Sequence, residues 1–77
     1  MFIETDADTT INTNRVNYFR IDEVEDIPTG DPIYILEACF NRGHIEVTRS
    51  KDRKKIEARL TLIRLAANGF ERPEPKE

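Results

Sequence analysis

Apolar residues along this chain follow two periods. From Phe2 to Val47 they come in short runs separated by turn residues, and from Ile56 onward they recur every three or four positions. The first pattern is that of strands, whose successive side chains point to opposite faces, and the second is that of a helix advancing about 100° per residue. Phe2 to Thr5 and Thr9 to Asn12 predict a short hairpin bent at Asp6-Ala7-Asp8, because Asx side chains hydrogen-bond the local backbone. Asn12 to Arg15 reads as a second turn. Val16 to Val24 is rich in β-branched and aromatic residues and predicts a strand with Phe19 and Ile21 on one face. Glu25 to Pro32 sets Pro28, Gly30 and Pro32 among acids, which removes ladder donors and predicts an exposed loop.

Ile33 to Phe40 and His44 to Arg49 form the clearest hairpin, joined through Asn41-Arg42-Gly43, where glycine supplies the positive φ of a tight turn. With Arg42-Gly43 as a two-residue turn, Phe40 faces Ile45 and Ala38 faces Val47. Tyr34, Leu36, Ala38, Phe40, Ile45 and Val47 then share a core face. The other face carries Ile33, Ile35 and Cys39 beside Glu37, Glu46 and Thr48, apolar enough that a cover over it is expected.

Ser50 reads as an N-cap for a helix from Lys51 to Asn68, closed by Gly69 at C′ with Phe70 after it. Ile56, Leu60, Ile63 and Ala67 fall on one narrow stripe that packs on the sheet. Ala58, Leu62 and Leu65 fall opposite, so a helix lying on its own sheet exposes a second apolar stripe. That stripe is a candidate interface with a second copy or a partner helix, weighed against ordinary scattered surface leucines. The predicted fold class is α+β, a small antiparallel meander of four or five strands with one C-terminal helix on one face. It occupies residues 1–70 as a single domain, followed by an extended charged tail, 71–77, in which charge and proline alternate.

Charge sharpens this outline. The 77 residues carry a net charge of −3, yet residues 1–37 hold nine acids against two bases and residues 38–77 hold six acids against ten bases. Asp22, Glu23, Glu25, Asp26 and Asp31 make an acidic loop region. Arg42, Arg49, Lys51, Arg53, Lys54, Lys55 and Arg59 make a basic sector, extended by Arg64, around the helix start. Bases there oppose the helix dipole at about 0.3–1 kcal/mol each, so an offset is expected. It has three readings: balance by the acidic loop, recognition of an acidic protein partner, and nucleic-acid binding. The last needs a continuous basic surface and is disfavoured by the acidic half and by aromatics that sit on core strands.

Catalytic chemistry is sparse. His44 follows a turn glycine at a strand end, Cys39 lies within a strand as a small hydrophobe, and the three glycines are isolated turn or cap residues. A single cysteine and a single histidine leave no zinc cage, and the acids at 22–31 do not match a calcium loop. No enzyme, metal or cofactor is expected. The absence of an apolar run near 20 residues predicts no membrane association and a cytoplasmic location. A thin core with no disulfide or metal makes oligomerisation the expected source of added stability.

The order short hairpin, Asn turn, acidic strand end, Gly-turn hairpin and capped helix resembles that of the small bacterial FlbD-type proteins of flagellar operons. Ile11-Asn12, Val16, Phe19, Ile33, Ile35, Gly43, Ile45, Val47, Ser50, Ile56 and Leu60 carry the resemblance, over residues 2–64. It implies a compact scaffold or adaptor with no enzymatic residues. The expected function is a non-catalytic protein-interaction module, self-associating or bound to a protein partner. The alternatives are a phage or mobile-element inhibitor that blocks a host protein surface, and a nucleic-acid binder acting through the basic helix start.

Overall fold

The first bend is held by Thr5. The computed structural model describes residues 1–67, and in it strand β1 (Phe2–Glu4) pairs antiparallel with β2 (Thr10–Asn12), Ile3 opposite Ile11. Between them Thr5 Oγ1 accepts hydrogen bonds from the amides of Ala7 and Thr9 at 3.3 and 3.1 Å. Asp8 has φ 59°, a left-handed conformation that aspartate adopts more readily than most residues. A 3-10 turn, Thr13–Arg15, follows, capped by Asn12 Oδ1, which accepts from the Asn14 amide at 3.0 Å.

The chain then enters a second sheet in the order β3 (Tyr18–Glu25), β4 (Pro32–Phe40) and β5 (Gly43–Ser50), all antiparallel. The fold is α+β, with five antiparallel strands divided between two sheets rather than joined in one meander, and a helix after them. The acidic stretch is a hairpin connection. Glu25 stands opposite Pro32, and residues 26–31 close on themselves, with the Asp26 carbonyl accepting from the amides of Thr29 and Gly30. Gly30 has φ 75°, which few other residues would tolerate.

The β4–β5 hairpin departs from the sequence expectation twice. Its turn is Asn41-Arg42, one residue earlier, so Phe40 faces Gly43 and Ala38 faces Ile45, a pairing shifted by two residues. A shift of two preserves which face each side chain takes, so the core side of the strand survives. Ile45 nevertheless leaves the predicted core, being 39% exposed on an outer strand of the sheet. The second departure is a bulge: Glu37 faces Glu46 but Leu36 faces Thr48, leaving Val47 as the additional residue. Val47 is fully buried, Thr48 shifts to the face of Leu36, and Arg49 moves to the face of Ile35.

Helix α1 (Arg53–Ala67) begins later than expected. Asp52, not Ser50, caps it: Asp52 Oδ1 accepts from the Lys54 amide at 3.0 Å, while Ser50 Oγ accepts from the Asp52 amide. Ile56, Leu60 and Ile63 are buried against Phe19, Leu36, Ala38 and Val47 of the large sheet and Ile3 and Ile11 of the small one. The helix and the first hairpin therefore share the inner face of the three-stranded sheet. The expected ending at Gly69 and Phe70 and the tail 71–77 lie outside the described residues. Among the described residues no helix is long and apolar enough to cross a membrane.

Candidate functional site

Among the described residues, three surfaces carry most of the side chains that the sequence singles out. The first is the outer face of the large sheet. Strand pairing aligns Arg20 on β3 with Glu37 on β4, and Cys39 of β4 with His44 on β5. Glu37 is only 5% exposed. Its Oε1 accepts from Arg20 Nε and Nη2 at 3.2 and 3.0 Å, and its Oε2 lies 2.9 Å from His44 Nε2. The hydrogen bond to Glu37 holds the Arg20 guanidinium above its ordinary range against the opposing effect of burial. One residue from each strand thus meets at a buried carboxylate. Cys39 is buried beside them, as a small hydrophobe in a strand should be. Beyond the bulge, Arg49 Nε donates to Glu46 Oε2 at 3.0 Å, which lowers the Glu46 carboxyl below its usual value and raises Arg49.

The second surface is the start of the helix, where the sequence places bases against the dipole. Lys51 precedes the helix, and its Nζ lies 3.4 Å from Asp26 Oδ2 and 3.8 Å from Asp31 Oδ2. Arg53 Nε donates to Glu57 Oε1 at 2.9 Å, and its guanidinium sits 5.6 Å from the centroid of the Tyr34 ring. Asp52 adds a carboxylate at the cap itself. These contacts offset the repulsion within one chain. Arg59 Nη2 donates to the Glu4 carbonyl at 3.1 Å and ties the helix to β1, while Lys54 and Lys55 are exposed. Of the acidic group, Asp26 and Asp31 meet Lys51, whereas Asp22, Glu23 and Glu25 lie along β3.

The seven predicted bases do not gather in one place. Arg42 is in the β4–β5 turn and Lys51 follows the far end of β5, roughly 25 Å away at about 3.3 Å per residue. Arg42 instead joins Arg15, with Asn14, Asn17, Asn41 and Phe40, around a surface depression of about 540 Å³. Sequence reasoning passed over Arg15. The signal was the recurrence of an Asn-Arg pair at 14–15 and 41–42, in two turns that the fold brings together.

The third surface is the outward stripe of α1. Ala58 is exposed, and Leu62 and Leu65 are 65% and 73% exposed, while Ile56, Leu60 and Ile63 of the inward stripe are buried and Ala67 is half-buried. No group of three or more His, Cys, Asp or Glu residues among the described ones is arranged to hold a metal ion. No known family model, curated protein or solved structure matches this chain.

Proposed function

We propose that this chain is a non-catalytic cytoplasmic interaction module, an adaptor or scaffold that self-associates and docks a protein partner along the outward stripe of α1. The observation that carries the reading is the exposure of Leu62 and Leu65 on a helix whose opposite stripe already fills the core. A solvent-facing leucine pair one turn apart costs little alone but offers a ready apolar strip. At about 100° per residue, Lys54 and Lys55 each fall roughly 50° to either side of the midline of that strip. The fitting partner therefore presents an apolar groove or helix rimmed by acid. Dispersal of the remaining bases over both ends of β5, several of them already engaged with carboxylates, argues for this reading over nucleic-acid binding.

Lysine-directed cross-linking in the native host tests the proposal. A discrete partner should be captured through Lys54 or Lys55, and Leu62→Glu with Leu65→Glu should reduce its yield at least about tenfold without changing the melting temperature. Undiminished capture by the double variant refutes it.

A further inference from the structure

We infer that the depression between the two Asn-Arg turns is a docking site for an extended acidic peptide segment of a partner protein, gripped by Arg15 and Arg42. The inference does not rest on the α1 stripe and adds a second recognition surface to it. Both turns are fixed before any ligand arrives. Thr13, buried at the start of the first, sends its hydroxyl and its amide to the Met1 carbonyl at 2.9 Å each, and Asn12 caps the same turn. The second turn is the connection between β4 and β5. Asn17 N–H donates to the Cys39 carbonyl at 2.8 Å and Asn17 Nδ2 donates to Asn41 Oδ1 at 2.6 Å, so backbone and side chain tie the turns to one another. A site held this way loses little freedom when it binds.

Charge gives the sign of the ligand. No acid occurs between Asp8 and Asp22 or between Glu37 and Glu46, the two stretches that build this end of the molecule. Arg20 in the first stretch and His44 in the second are both turned to Glu37. Arg15 and Arg42 are exposed and, among the described residues, meet no carboxylate, whereas Arg20, Arg49 and Arg53 each do. Two guanidiniums left without a counter-charge around one depression, in a chain of net charge −3, favour an anion there.

The lining then separates a peptide from a phosphate. A space of about 540 Å³ exceeds what one small anion fills, so the arginines take two anionic groups on a larger body. Asn14 and Asn41 offer side-chain donors and acceptors together. Peptide backbone uses both kinds, whereas a phosphate only accepts. Phe40, half-buried, gives an apolar floor for one aliphatic side chain. The fitting ligand is therefore an extended segment with carboxylates on either side of an apolar residue, each carboxylate taken by one planar guanidinium. A nucleic-acid strand needs a basic track that continues beyond the depression. The bases at the start of α1 lie instead at the far end of β5, and Arg20 and Arg49 sit on carboxylates.

NMR titration of the full chain with the blocked peptide Glu-Glu-Leu-Glu-Glu tests the site. Saturable shifts are expected at the amides of Asn14, Arg15, Asn17, Asn41 and Arg42, and not at Lys54 or Lys55. Arg15→Ala and Arg42→Ala should each weaken the peptide at least about fivefold. Both together should leave the melting temperature unchanged, since neither side chain is bonded to another described residue. Arg15→Lys with Arg42→Lys keeps the charge and should still lose at least about threefold, because an ammonium cannot form the paired bonds of a guanidinium. The peptide Gln-Gln-Leu-Gln-Gln should give no saturable shift. Inorganic phosphate, adenosine monophosphate and a single-stranded oligodeoxynucleotide, titrated in parallel, distinguish the other anions: tighter binding of any of them at the same residues overturns the peptide assignment. Absence of a saturable shift up to millimolar Glu-Glu-Leu-Glu-Glu, shifts centred on Lys54 and Lys55, or an affinity indifferent to both alanine variants overturns the site itself.

Discussion

At the scale of single residues, the burial of Glu37 has the largest consequences. A carboxylate taken out of water is costly unless it is paired and hydrogen-bonded, and here a guanidinium and an imidazole from the two flanking strands both reach it. Arg20→Ala should therefore cost about 1–3 kcal/mol in urea unfolding, the scale of a hydrogen bond to a charged group, with Arg20→Lys recovering part of the loss. An unchanged midpoint would mean that water or His44 satisfies Glu37 alone. Glu46 yields a pH prediction of definite sign. Its folded pKa is depressed by Arg49, so its contribution is present above the unfolded value of about 4.5 and is lost as pH falls through the lower folded value. The stability deficit of Glu46→Gln should thus be greatest near neutrality and vanish in acid, and added salt should shrink it because both side chains are more than a third exposed. A deficit constant with pH would remove Arg49 as its cause. Local sequence puts both on the partly apolar outer face but names no partner for either, because Arg20 and His44 reach Glu37 through strand register and Arg49 meets Glu46 across the bulge.

At the scale of elements, the strands and helix lie close to where period and turn residues put them, and the differences have local causes. Ser50 looks like an N-cap, but it belongs to β5 and its hydroxyl is spent on the Asp52 amide, which passes the cap to Asp52. Asp52→Ala is expected to lower stability by about 0.5–2 kcal/mol and helical circular dichroism with it, while Ser50→Ala should cost less. The reverse order would return the helix start to Ser50. The bulge at Val47 is harder to foresee. An alternating Ile-x-Val-x pattern reads as regular, and only the need to bury Val47 while the Asp6 turn docks on Val47 and Thr48 singles out that residue as the additional one. The two-residue shift of pairing has a similar origin, because Asn41-Arg42 and Arg42-Gly43 are both acceptable turns and the sheet face tolerates either.

At the scale of the whole molecule, one core is enclosed between the inner face of the large sheet, the helix and the first hairpin, and its leucines differ sharply in their expected worth. Leu36→Ala empties a fully buried site and should cost about 2–5 kcal/mol, a large share of the roughly 4–12 kcal/mol available to a chain this size. Glutamate at 62 and 65 should leave thermal stability nearly unchanged; a comparable loss there would mean that the stripe is covered in the folded protein. Sequence by itself determined the elements, the α+β class, the inward stripe and the exposure of Ala58, Leu62 and Leu65, because each follows from periodicity within one segment. It also showed that acid and base are segregated along the chain. Only the tertiary structure decided which charges meet. Lys51 with Asp26 and Asp31, Arg20 and His44 with Glu37, and Arg15 beside Arg42 are joined by strand register and turn placement, which depend on residues far apart in the chain.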